Sequence, residues 1–177
     1  KRLDHYAIFI ENNLRFIEAC SAGERSGLYY TCINSYLKAD ELAYIVNNSE
    51  AKIIITSAAK ETVVLEALID CPNVSLCLVV DGTEEDSRGV NYQHAIEQFP
   101  ETPIADEYLG RSMLYSSGTT GRPKGVIGPL PEEPPTETLP VSDFLHELWH
   151  YRPGMVYLSP APLYHAAPLS AVSLTIR

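Results

Sequence analysis

The sequence lacks any apolar stretch of the ~18 residues that a membrane-spanning helix needs, so no transmembrane helix is expected. Contact with a membrane surface stays open. Basic residues are scarce: 13 Lys and Arg stand against 23 Asp and Glu, for a net charge of −10. That balance argues against a nucleic-acid partner held by a broad basic surface. It leaves room for a polyphosphate ligand, which needs only a small local positive spot. The cysteines Cys20, Cys32, Cys71 and Cys77 form no C-x-x-C pair. Cys20, Cys32 and Cys77 lie in apolar runs, where free thiols pack well, and a reducing, cytoplasmic setting follows as an expectation. Nothing resembles a secretory signal, so the glycosylation triplets at Asn47 and Asn73 read as chance. There is no internal repeat.

What remains is an ordinary globular composition, 45% hydrophobic over 177 residues. Such a chain forms one domain able to bury roughly 70% of its unfolded surface. Apolar runs at 5–10, 28–33, 52–56, 74–80 and 111–115 predict buried strands. Segments 14–22, 38–48, 61–69 and 92–99 carry apolar residues at helical spacing. Continuous apolar strands alternating with amphipathic helices predict a doubly wound, mostly parallel α/β sheet with helices on both faces and right-handed crossovers. A Pro- and Glu-rich stretch over 128–140 reads as a mobile, solvated loop. A helix is expected over 142–151 and a strand over 155–159. The chain starts at Lys1 and stops at Arg177 within an apolar run, and reads as a piece of something longer.

The strongest chemical signal is Tyr115–Gly125, Y-S-S-G-T-T-G-R-P-K-G. Glycines let backbone N–H groups turn toward an anion, hydroxyls add donors, and a lysine brings a point charge to phosphate oxygens. Following a strand, these donors are expected at the strand's carboxyl end, where open α/β sheets bind ligands. It is not a Walker A loop, because Pro123 stands where that motif needs glycine and Gly125 follows Lys124.

Two further constellations compete for attention. His146-Glu147-Leu148-Trp149-His150 matches the H-E-x-x-H pattern of zinc metalloproteases, since two His four apart share a helix face. A catalytic zinc normally needs a third protein ligand, and the only later histidine is His165. An amphipathic helix burying Leu145, Leu148 and Trp149 is preferred. The second constellation is Pro162-Leu163-Tyr164-His165-Ala166-Ala167-Pro168. Alone, a histidine in an apolar loop reads as a hydrogen-bonded structural residue.

The cradle run resembles the phosphate-binding signature of the adenylate-forming superfamily, which includes acyl-CoA synthetases, luciferases and peptide-synthetase adenylation domains. P-L-Y-H-A-A-P is similar to that family's next motif, most closely as fatty-acyl-CoA ligases carry it. Gly27–Asn34, Glu41–Ile45 and Ser49–Lys52 are also similar to the family's amino-terminal half. The resemblance implies the amino-terminal α/β subdomain of a synthetase that uses ATP, Mg²⁺ and CoA to activate a carboxylic acid, most naturally a fatty acid. It implies that Ser116, Ser117, Gly118, Thr119, Thr120, Gly121 and Lys124 hold phosphates. Ser116 would also touch Mg²⁺, Lys124 and His165 would serve catalysis, and Tyr164 and His165 would border the acyl pocket. The family's adenine, ribose and carboxyl-terminal lysine motifs lie downstream of this point. The chain alone is therefore expected to bind ATP weakly, to lack synthetase activity and to self-associate. The alternative from another class is a non-catalytic nucleotide-binding or interaction module of the same fold.

Overall fold

A computed structural model describes residues 1–82, 89–116, 121–137 and 140–175. Its centre is a six-stranded sheet. Strand β1 (His5–Phe9) lies in the middle, flanked by β2 (Tyr29–Cys32) and β3 (Ala51–Ser57). Outward from β3 come β4 (Leu76–Val80) and the two-residue β5 (Val90–Asn91), and outward from β2 comes β6 (Arg111–Ser112). The order is β5-β4-β3-β1-β2-β6, and every pairing in it is parallel.

The strands form where the sequence is apolar without alternation, because both faces of a parallel sheet are covered. Ala7, Ile8, Phe9 and Ile54 are all fully buried, although they point alternately to opposite sides. Helices supply the two covers. Helix α1 (Leu14–Glu24) starts at Asn13, whose side chain accepts from the Phe16 N–H, and it buries Phe16, Ala19 and Cys20. These join Tyr6, Ile8, Ile10, Tyr30 and Cys32 in one core cluster. Helix α2 (Ala39–Asn48) and α3 (Glu61–Leu68) cover the other face, where Leu42, Ile45, Val46 and Val64 pack on Ala7, Phe9, Ile33 and Ile54. Helix α4 (Tyr92–Glu97) returns to the α1 face through Tyr92.

The split follows from chain direction. The step from β1 to β2 and the step back past β1 to β3 run opposite ways, so crossovers of one hand put their helices on opposite faces. The connections leaving β1 and β3 then diverge, which opens a crevice between their carboxyl ends. There Ser57 donates to the Glu11 carboxylate at 2.7 Å.

The thiols of Cys20 and Cys32 meet at 3.6 Å in the core, and Cys71 is buried as well. The contact with Cys32 and burial both push the Cys20 thiol well up, so it stays protonated. No helix among the described residues is long and apolar enough to cross a membrane.

Several expectations change beyond residue 110. The strand expected over 111–115 is two strands. β6 pairs only with Tyr29 and Tyr30, the first residues of β2. The chain then leaves the sheet, and β7 (Leu114–Ser116) pairs antiparallel with β8 (Lys124–Val126). Only Met113 of this run is buried. Residues 155–159 form no strand, and Val156 and Leu158 face solvent, because no neighbouring strand among the described residues offers a ladder.

Helix α5 (Pro140–Trp149) stops before His150, and α6 (Ala166–Thr175) begins directly after His165. Pro168, expected to frame a loop, sits in the first turn of α6, where its missing N–H is not needed. The carbonyls of the 128–133 stretch receive bonds from the sheet edge. Gly128 accepts from the Tyr29 hydroxyl at 2.9 Å, Pro129 from Arg111 at 3.0 Å and Glu133 from the Leu109 N–H at 3.2 Å.

Candidate functional site

Ser117, Gly118, Thr119 and Thr120 lie outside the described residues. The two legs that carry them are described. The incoming leg is β7, whose Tyr115 ring packs on the α2–α3 core cluster and whose hydroxyl donates to Asn48 Oδ1 at 2.7 Å. Burial, with Tyr44 nearby, pushes the Tyr115 phenol up to about 12, so it remains a donor at neutral pH. The outgoing leg begins at Gly121, with φ at 136°, a conformation that side-chain-bearing residues rarely adopt. It continues through Arg122 and Pro123 into β8. Gly125 faces Met113 and Tyr115 so closely that a Cβ there would stand 2.4 Å from Met113 Cε and 3.1 Å from Tyr115 Cζ.

The outgoing leg is exposed, and α2 holds it. The Tyr44 hydroxyl donates to the Pro123 carbonyl at 3.0 Å, and the Arg122 guanidinium lies 5.0 Å from the centre of the Tyr44 ring. Ser116 Oγ reaches the Lys124 carbonyl only at 3.5 Å, a weak contact. Neither Arg122 nor Lys124 enters an ion pair among the described residues, so both charges are available to an anion. Glycine at a positive φ beside two unpaired cations suits a polyphosphate. The incoming leg is a strand, as expected, but it belongs to the β7–β8 hairpin beside α2 and not to the six-stranded parallel sheet, whose β6 ends level with Tyr30.

The Tyr164–His165 motif is elsewhere. Leu163 is buried in the α1-face cluster and Tyr164 packs against it. The side chain of Asn12, just past β1, binds this segment twice. Its Nδ2 donates to the Ala161 carbonyl at 3.0 Å, and its Oδ1 accepts from the Leu163 N–H at 2.9 Å. The His165 ring stands 4.4 Å from that of Tyr164, and its carbonyl accepts from the Leu169 N–H, which starts α6. This motif thus occupies the carboxyl end of the sheet on the α1 face. No hydrogen bond, ion pair or ring contact among the described residues joins Ser116 or Lys124 to Tyr164 or His165.

The H-E-x-x-H run does not present two histidines on one helical face. α5 ends at Trp149, and His150 has φ at 54°, a left-handed residue that terminates the helix. The His146 ring bonds the Leu174 carbonyl at 2.8 Å and meets Tyr151 edge-on, and so ties α5 to α6. Leu148 and Trp149, expected on the buried side, are exposed, because α5 turns its His146 side inward. No group of three His, Cys, Asp or Glu is gathered as a ligand set among the described residues.

Tyr44, Asn48 and Asn12 escaped the sequence reading. Tyr44 and Asn48 sit in a helix whose apolar period accounts for Leu42, Ile45 and Val46 and for neither of them. Asn12 lies between a predicted strand and a predicted helix, where nothing in the sequence marks it, and Asn13 is the residue that caps α1.

Comparison with known proteins identifies the lineage. The chain belongs to the AMP-binding enzyme family, whose model matches residues 1–176. It is 37% identical over 128 residues to a CoA ligase of Gibberella moniliformis, a match covering 72% of this chain and 20% of that protein. It is 31% identical over 134 residues to a medium/long-chain-fatty-acid–CoA/3-oxocholest-4-en-26-oate–CoA ligase of Mycobacterium marinum, covering 70% of this chain and 24% of the relative. Among solved structures, apo MatB from Rhodopseudomonas palustris superposes with a TM-score of 0.68 at 24% identity. That likeness, over 99% of this chain and 34% of the other, shows the shared fold. The matched stretch thus spans about a fifth to a quarter of the length of these curated relatives.

Proposed function

We propose that these residues serve an AMP-forming acyl-CoA ligase, in which the cradle holds the departing pyrophosphate of ATP. One observation carries this reading: the glycine-rich hydroxyl run ends in a leg that presents Arg122 and Lys124 without ion-pair partners among the described residues. In the first step a carboxylate oxygen attacks the α-phosphorus, the bond to the β-phosphate oxygen breaks, and acyl-adenylate and pyrophosphate form. In the second step the CoA thiol attacks the acyl carbon, AMP leaves with the bonding pair, and the thiol proton passes to solvent.

Lys124 supplies a fixed positive charge to the β- and γ-phosphates, while Ser116, Ser117, Thr119 and Thr120 supply hydroxyl donors and Gly118 and Gly121 leave backbone N–H groups open. Mg²⁺, bound with ATP, would neutralise further phosphate charge, with Ser116 as its contact in this chain. Tyr164 and His165, at the sheet's carboxyl end, border the acyl group. A fatty acid is the favoured carboxylate, supported by the P-L-Y-H-A-A-P resemblance and by the name of the Mycobacterium marinum relative. The setting proposed is cytoplasmic.

The test uses a catalytically complete ligase that carries residues 1–177. Lys124→Ala is expected to slow carboxylate-dependent ATP–pyrophosphate exchange on the order of 10²- to 10³-fold, the usual cost of removing one preorganised charge-stabilising group. Thioester formation from supplied acyl-adenylate should change far less. Equal loss in both half-reactions, or no exchange by the unsubstituted ligase with any fatty acid, overturns the reading.

A further inference from the structure

The outgoing leg of the cradle poses a physical problem. Gly121, Arg122, Lys124, Gly125 and Val126 are all exposed, so apolar burial does not locate them. β8 pairs with β7 over only three residues. A charge that stabilises a transition state must nevertheless be held to within a fraction of an ångström, or its electrostatic benefit is lost. Something outside the hairpin has to fix the leg.

We infer that Tyr44 is the positioning residue that sets Lys124, through the backbone and not by touching the reacting atoms. Its hydroxyl holds the Pro123 carbonyl at 3.0 Å. That carbonyl shares a planar peptide unit with the N–H and Cα of Lys124, so holding the oxygen fixes where the lysine side chain begins. The Pro123 ring restricts φ on the other side of that unit. The Tyr44 ring lies 5.0 Å beneath the Arg122 guanidinium, a cation–π contact on the residue before the proline. One side chain thus grips two consecutive residues upstream of Lys124. Tyr44 itself is anchored, because Leu42, Ala43, Ile45 and Val46 around it on α2 are buried in the core. Asn48, one turn further along α2, holds β7 through Tyr115. α2 is therefore the rigid rail to which both legs of the cradle are fastened, and Tyr44 fastens the leg that carries the charge.

This inference rests on the ligase reading, and its test separates the two. Tyr44→Phe removes one oxygen and keeps the ring, whereas Tyr44→Leu removes both contacts. Circular dichroism checks that each variant folds. The first readout is independent of activity: endoproteinase Lys-C cuts the Lys124–Gly125 bond of the chain, giving fragments 1–124 and 125–177. Both variants should be cut at this bond several-fold faster, Tyr44→Leu most. The second readout is ATP–pyrophosphate exchange in a complete ligase carrying residues 1–177. There Tyr44→Phe should lower kcat about three- to tenfold, as expected for losing one hydrogen bond. The KM for the carboxylate should stay unchanged, and so should thioester formation from supplied acyl-adenylate.

Unchanged cleavage in both variants overturns the tether. Faster cleavage with unchanged exchange shows that Tyr44 only stabilises the hairpin and overturns the positioning role. Loss of both half-reactions together does the same. An unsubstituted ligase without exchange activity defeats the ligase reading, while the cleavage result still decides the tether.

Discussion

Between His5 and Val80 the strands are buried on both faces, and Phe9, Phe16, Leu42, Ile54 and Val64 exclude water completely. Between Gly121 and Leu163 most residues are exposed, and single polar side chains hold the path: Tyr44 on Pro123, Arg111 on Pro129, Asn12 on Ala161 and Leu163. The first region is located by many weak, interchangeable contacts and the second by a few directional ones. The two motif-bearing segments lie at the two ends of this second region, and they are fastened to opposite faces of the sheet. The core acts as the frame, and the residues that would meet ligands hang from it at named points. Damage to the frame should therefore unfold the chain, whereas damage to a fastening should release one segment and leave the rest intact.

The largest effect that would test this contrast is Phe16→Ala. Losing a fully buried phenyl should cost about 3–5 kcal/mol of unfolding free energy in urea titration. Val126→Ala, in the exposed hairpin, should stay within about 0.5 kcal/mol. A comparable cost at both positions would erase the distinction.

Asn12→Ala comes next. It deletes both bonds to the 161–163 segment and should cost about 1–3 kcal/mol, at roughly 0.5–1.5 kcal/mol for each bond. Its signature is local. Amide hydrogen exchange at Leu163 should speed at least several-fold, while the β1 amides of Ile8 and Phe9 keep their protection. Uniform loosening across the sheet would mean that Asn12 belongs to the frame.

His146→Ala probes the third fastening, between α5 and α6. Loss of the bond to Leu174 should destabilise by about 0.5–1.5 kcal/mol. Elemental analysis of the unsubstituted chain should find no stoichiometric zinc. One zinc per chain that the substitution removes would revive the metalloprotease reading.

The smallest effect concerns the rim of the frame. Lys52, 2.6 Å away, is the main cause that holds the Asp4 carboxyl well below its usual range, down to about 2. A depressed carboxylate pKa stabilises the fold above the ordinary value near pH 4, and that contribution disappears as pH falls through about 2. The pair is exposed, so screening keeps it under about 1 kcal/mol. Asp4→Asn should flatten the acid limb of the stability curve between roughly pH 4 and 2 and change little at pH 7. An unchanged acid limb would show that the ion pair contributes nothing.

The amino-acid sequence by itself determined the frame. Its unalternating apolar strands and amphipathic helices over 5–99 read directly as a two-faced parallel sheet, because burial on both sides imposes that pattern. It also marked the cradle and the P-L-Y-H-A-A-P segment, since glycines, hydroxyls and a lysine at those spacings have a chemical reason to occur together. The tertiary structure alone decided where those segments attach. β6 stops after two paired residues because it lies at the sheet edge, with β7 turning away toward α2. The apolar run 155–159 stays irregular because a strand needs a neighbour, which lies beyond its own sequence. Tyr44 and Asn12 became fastenings only when folding brought residues 79 and some 150 positions away against them. A hydrogen bond between distant residues follows no local period, so only the folded chain shows it.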